Sequence, residues 1–291
     1  MPSLKAIRTR IRSIKSTQQI TRAMKMVSAA RLRRAQEAIT SARPFVQRME
    51  EVLRELALRV DLSAHPLLQR RPVQKAEVVV LTSDRGLCGG FNASVVRRVQ
   101  RFRFESEDQL EQVTLRTIGR KGHEAFRRRG AQIRKDHAGL FRTLTYGAAE
   151  SLAAELTDLF LSGEVDAVYL AYNEFISPVS QKVALVELLP IQPPAQLPPD
   201  AASSSPVDYL YEPGRDAVLE ALLPRYVASE VWRALLESVA SEHGARMSAM
   251  DSATNNASDM IGRLTLQYNR TRQAGITKEL MEIVSGAEAL K

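Results

Sequence analysis

Apolar and small residues recur along the last part of the chain at Val227, Val231, Leu235 and Val239. They recur again at Ala253, Ala257, Met260, Ile261, Leu264 and Tyr268, and finally at Leu280, Ile283 and Val284. Steps of three and four residues mark one face of a helix, and no proline interrupts 225–286. At 1.5 Å per residue that helix is roughly 90 Å long, more than a domain of this size can bury. The pattern therefore predicts an equally long partner. The first sixty residues supply a matching stripe: Leu4, Ile7, Ile11, Ile14 and Gln18, then Met24, Val27, Ala35, Ala38, Ile39 and Ala42, then Val46, Met49, Val52, Leu53 and Leu56. Its narrowness is that of a two-helix seam. Pro44 is a candidate kink or break, Ser3 a candidate N-cap, and Glu50–Arg54 and Glu55–Arg59 are pairs that support the last turns.

Isolated helices are marginal in water, so each terminal helix is the other's most economical partner. An antiparallel coiled coil of the two ends follows, with separate helices packed on the middle of the chain as the open alternative. Ser28, Ala29 and Ala30 on one helix, and Ala245, Ser248, Ala249, Ser252 and Ala253 on the other, allow close backbone approach. They also bury less apolar area, at about 25 cal/mol per Å².

Between the ends the texture changes. Residues 61–75, which include Pro66 and Pro72, read as a linker. A continuous β-branched run at Glu77–Thr82 reads as a buried strand. A glycine-rich turn follows, then a helix at Ala93–Phe104, a strand at Val113–Ile118, and helices at Gly122–Arg129 and Ala148–Leu161. Strands at Ala167–Phe175 and Gln181–Leu189 form an antiparallel hairpin around Pro178. Alternating strands and helices predict a mainly parallel sheet. The fold class is thus α plus α/β, an antiparallel coiled coil of long terminal helices (1–60 and 215–291) with a small Rossmann-like α/β domain (76–190) inserted. A Pro-rich loop spans 191–214. A short helix, Arg215–Leu222, leads through Pro224 into the long one.

Composition narrows the function. Aromatics are only 5% of the 291 residues, which suits long helices better than compact cores. The single Cys88 excludes an internal disulfide, and no apolar run is long enough to span a bilayer. Met1–Gln36 holds ten Lys or Arg and no acid. That is the character of a transit peptide, but the helical pattern runs unbroken past any usual cleavage point. Residues 1–60 carry fourteen basic residues against four Glu, yet these fall on several faces without aromatics for stacking, so nucleic acid is not the expected partner. The turn Ser83-Asp84-Arg85-Gly86-Leu87-Cys88-Gly89-Gly90-Phe91-Asn92 stands where phosphates bind in α/β proteins. It lacks both the P-loop and the dinucleotide spacing, which leaves tight-turn geometry as the favoured explanation. The four histidines, His65, His123, His137 and His243, have no metal-ligand spacing. No catalytic, cofactor-binding or metal-ligating residue is predicted.

Three separated motifs carry a resemblance. ITRAMKMVSAARLRRAQ (Ile20–Gln36), TSDRGLCGGFN (Thr82–Asn92), and ARMSAMDSATNNASDMI with LTLQYNRTRQAGITKELMEIVSG near the end resemble the gamma subunits of F-type ATP synthases. The match covers both terminal helices and the glycine-rich turn. From Arg97 to Gly214 the likeness is one of layout. The regulatory cysteine pair of chloroplast members is absent.

The resemblance implies a non-catalytic central rotor shaft. The coiled coil would stand in a ring of alpha and beta subunits, and the α/β domain would be a foot on the c-ring beside epsilon. The whole would lie peripherally on the cytoplasmic face of a bacterial plasma membrane, with proton flow driving rotation and no cofactor of its own. It further implies that Met24 and Lys25 meet the acidic loops of beta, and that Arg246, Arg272, Gln273 and Thr277 contact the ring. On stripe position alone Met24 is coiled-coil core. The last dozen residues are expected to outrun the partner helix, leaving Leu280, Ile283 and Val284 uncovered within this chain.

Overall fold

The structure is a computed structural model that describes residues 3–57, 65–192, 212 and 214–288. Its elements are α1 (Leu4–Ala57), β1 (Lys75–Leu81), α2 (Phe91–Glu105), β2 (Gln112–Ile118), α3 (Arg120–Arg127) and β3 (Ile133–Asp136). A 3₁₀ turn (Leu140–Arg142), α4 (Tyr146–Leu161), β4 (Ala167–Phe175), β5 (Gln181–Leu189) and α5 (Arg215–Glu288) complete them. The chain forms two compact units. One comprises residues 30–245 and the other residues 1–29 with 246–291, so α1 and α5 each contribute to both.

In the larger unit the strand order is β3-β2-β1-β4-β5. β1 pairs in parallel with β2 and β4, β2 in parallel with β3, and β4 antiparallel with β5. The EVVVL run of β1 alternates between faces, as the period of two requires. Val78 and Val80 pack with Val95, Val96 and Val99 of α2 and Phe126 of α3. Val79 and Leu81 pack with α4 and with Leu219, Leu223, Val227, Val231 and Leu235 of α5, and Met49 and Leu53 of α1 join this second core. The sheet is buried on both faces, as a parallel sheet needs.

Several expectations change. Neither proline ends its helix: α1 runs through Pro44, and α5 starts at Arg215 and continues through Pro224 as one element. Each proline forfeits a backbone hydrogen bond at about 3 kcal/mol, offset by buried neighbours such as Met49 and Leu53, or Leu223 and Val227. The expected linker packs where it is described. Leu67 is buried, its carbonyl accepts from the Ile191 N–H at 2.8 Å, and Arg71 stacks on the Phe160 ring at 4.4 Å. β3 is an additional strand, whose sequence IRKD is too polar to read as one.

Ion pairs hold that strand in place. Buried Glu77 accepts from Arg116 at 2.9 Å and Arg134 at 2.8 Å, Arg116 and Lys135 both reach Glu155, and Arg134 reaches Glu164. A short charged edge also resists pairing with other chains. The pair Glu55–Arg59 and most of the Pro-rich loop lie outside the described residues.

In the smaller unit the two helices run antiparallel. Thr21 meets Thr254 hydroxyl to hydroxyl at 2.8 Å, and one turn on Lys25 meets Asp251 at 2.5 Å. Covered positions on α1 are Leu4, Ile7, Ile11, Ile14, Gln18, Thr21, Met24, Lys25 and Ser28. On α5 residues 246–251 are all covered, and beyond them Ala253, Thr254, Ala257, Ile261, Leu264, Tyr268, Thr271 and Gly275 are. The predicted stripe errs at Val27 and Met260, which are exposed while Ser28 and Ile261 carry the seam. Polar Thr21 and Ser28 sit on that seam and disguise its course. Every described side chain of α5 from Ile276 to Gly286 is exposed, with Leu280 at 59% and Ile283 at 72%.

Candidate coupling surface

The residues assigned to coupling fall at separate stations of the smaller unit. Met24 and Lys25 are half-buried on the middle of the seam. Lys25 donates from Nζ to Asp251 Oδ1, with both side chains nearly half exposed, so the pair is worth no more than about 1 kcal/mol after screening. A carboxylate from another chain that meets Lys25 must compete with Asp251. Arg246 is buried. Arg272, Gln273 and Thr277 are exposed where the seam ends, and the Thr277 hydroxyl donates to the Gln273 carbonyl at 3.0 Å. From Asp251 to Gln273 is about 33 Å of helix. The residues are thus spread along the unit and do not form one cluster.

Sequence reasoning did not single out Asp251, Thr21 or Thr254. The signal was available in the antiparallel register, since pairing 21 with 254 places 25 opposite 251. A lone acid in a run of small residues did not announce itself.

The glycine-rich turn is closed by its own chain. Asn92 accepts from the Ser83 N–H at 2.9 Å and donates to the Ser83 hydroxyl at 2.8 Å and to Cys88 Sγ at 3.2 Å. Positive φ occurs at Gly89 (56°), but also at Leu87 (63°), so glycine alone does not explain the turn. The turn also ties down the neighbouring helix, because the first amides of α3 are taken: Arg120 N–H by Asp84 at 3.2 Å, Lys121 N–H by the Ser83 carbonyl at 3.1 Å, and Gly122 N–H by the Thr82 hydroxyl at 2.8 Å.

This closure depends on Gly119, whose φ is 94° and where a Cβ would lie 1.9 Å from the Thr82 carbonyl oxygen. Buried Cys88 packs with Phe91 and Ala245. The histidines serve packing and local bonding. His65 accepts from the Leu67 N–H, His123 neighbours Asp136, His137 contacts Arg116 at 3.2 Å, and His243 is buried.

Terminal helices paired as a coil, with an α/β insertion between them and a glycine turn bonded to itself, define the architecture of the chain. A family profile described as ATP synthase matches residues 3–290. The chain is 62% identical to an ATP synthase gamma chain from Anaeromyxobacter sp. (strain Fw109-5), with 100% of each covered. It belongs to the ATP synthase gamma chain family.

Solved structures agree in fold. A chain from the Tetrahymena thermophila mitochondrial ATP synthase central stalk and c-ring is 26% identical with a TM-score of 0.60, covering 80% of this chain and 99% of that one. A chain from the Euglena gracilis mitochondrial ATP synthase assembly of OSCP, F1 and c-ring is 19% identical with a TM-score of 0.66, covering 99% and 94%.

Proposed function

We infer that the chain is the central rotor shaft of a proton-translocating F-type ATP synthase. Its partners are the alpha and beta subunits, epsilon and the c-ring, and it catalyses no step itself. Rotation of the c-ring turns the shaft, whose asymmetry drives each catalytic beta subunit through its nucleotide-binding states. The observation that carries this reading is the full-length match to gamma chains, together with a helix end that its own chain leaves uncovered.

A torque-bearing shaft needs helices that support each other and contacts weak enough to release. The seam supplies the first, and pairs such as Lys25–Asp251, at about 0 to 1 kcal/mol, supply the second. The bonds of Asn92 within the glycine turn, and the tie from Asp84 to α3, support a structural role for that turn in the foot. No helix among the described residues is long and apolar enough to cross a membrane, which fits a peripheral position reached through the c-ring, on the cytoplasmic face of a bacterial plasma membrane.

The reading assigns Met24 and Lys25 to the acidic loops of beta, and Arg246, Arg272, Gln273 and Thr277 to the ring. Met24→Lys adds a charge beside Lys25 and Arg22 and over-strengthens contact with an acidic loop. The expected result is an assembled complex whose ATP hydrolysis no longer pumps protons efficiently, measured as quenching of a pH-sensitive dye in membrane vesicles. Wild-type pumping by that variant removes Met24 from the coupling contact. Capture of the tagged chain from native membranes tests the broader reading, which requires alpha, beta, epsilon and c subunits in the eluate.

A further inference from the structure

Beside the glycine-rich turn, within the larger unit, lies a cleft of about 690 Å³. Four guanidinium groups line it from four separate segments: Arg31 of α1, Arg85 of the turn, Arg120 at the start of α3 and Arg142 at the end of the 3₁₀ turn. Asp84 and Glu242 also line it. The Asp84 carboxylate accepts the Arg120 backbone N–H. Glu124 feels the charge of Arg120, but among the described residues no carboxylate lies within ion-pair distance of the Arg31, Arg120 or Arg142 side chains. Other arginines of this unit, Arg71, Arg116, Arg134 and Arg233, are each paired with an acid.

The guanidiniums of Arg31, Arg120 and Arg142, lining one cleft, repel one another, and an anion between them relieves that cost. Their planar forks match the oxygens of phosphate. The cleft also opens at the carboxyl ends of β1 and β2, the edge of an α/β sheet where ligands are held, and its volume is in the range of small-molecule sites. The α3 amides are occupied, so side chains would do the binding here.

We propose that this cleft is a binding site for a small polyanion of the phosphate class, held by Arg31, Arg120 and Arg142. The site is independent of the rotor reading, because it rests on residues assigned no part in coupling.

Titration of the full-length chain with sodium pyrophosphate at low and physiological salt tests it. Saturable one-to-one binding is expected, weaker at the higher salt. Arg120→Ser and Arg142→Ser should each weaken it at least about tenfold, while Arg101→Ser on α2, an exposed arginine outside the cleft, leaves it within about twofold. All three side chains are exposed, so circular dichroism should show unchanged folding. The proposal is overturned by non-saturating binding, by an equal loss in Arg101→Ser, which would mean a diffuse field, or by a hexaglutamate peptide that binds more tightly than pyrophosphate.

Discussion

Helix α5 holds two regions of opposite character within one continuous element. Between Tyr226 and Ala245 it is covered on every side, with Val227, Ala228, Ser229, Glu230 and Val231 buried in succession. Between Ala257 and Gly275 only every third or fourth residue is covered, and from Ile276 to Gly286 none is. A helix buried all round belongs to a core, and one buried along a stripe belongs to a pair. The uncovered end of the stripe leaves Leu280, Ile283 and Val284 exposed, and the rotor reading assigns such an apolar surface to other chains. Local stability is therefore expected to fall along the helix.

That contrast is broken most directly by one substitution type at two positions. Leu235→Ala, in the second core of the sheet, should cost about 2–5 kcal/mol in chemical unfolding of the isolated chain. Ile283→Ala, 72% exposed, should change it by less than about 0.5 kcal/mol. Equal effects would erase the distinction between the regions. Next in size, Gly119→Ala meets the Thr82 carbonyl and an unfavourable φ, and should lower stability by about 1–3 kcal/mol.

A smaller effect tests the seam. Thr254→Val removes the 2.8 Å hydroxyl contact with Thr21 and should cost about 1 kcal/mol. A double-mutant cycle with Thr21→Val should then show coupling between the two sites, and none with Leu235→Ala.

The smallest effect is a pH dependence in the larger unit. Burial, followed by the Arg116 guanidinium, holds the His137 imidazole below its ordinary value. As pH falls through about 6.5 the unfolded chain takes up a proton that the folded chain resists. This contribution to stability is complete above that pH and is lost below it. His137→Gln should flatten the decline in melting temperature between about pH 7 and 5, and a decline unchanged from wild type would exclude His137 as its source.

Sequence reading served the two regions unequally, for physical reasons. Val227, Val231 and Leu235 were legible because apolar spacing survives in a core, and the hairpin Ala167–Phe175 with Gln181–Leu189 was read at its observed bounds. β3 was not legible, because Arg134 and Lys135 are held by the acids Glu77, Glu155 and Glu164, and none of those pairings is local in sequence. Continuity through Pro44 stayed open, and Arg215–Leu222 was read as a separate helix before Pro224, for a related reason, since tertiary packing overrides a local breaker. The assignment of Met24 and Lys25 to coupling rests on family resemblance alone. The Lys25 partner Asp251 emerges from register, which needs both helices at once.

The central claim is that this chain turns while other chains catalyse. It is tested by assembling the chain with alpha and beta subunits and fixing a visible probe to a cysteine introduced at exposed Arg101 on α2. The probe is then watched in a microscope under ATP. The account predicts stepwise rotation in one direction that requires ATP, with no hydrolysis by the chain alone. A stationary probe on complexes that are hydrolysing ATP, or hydrolysis by the isolated chain, would contradict it.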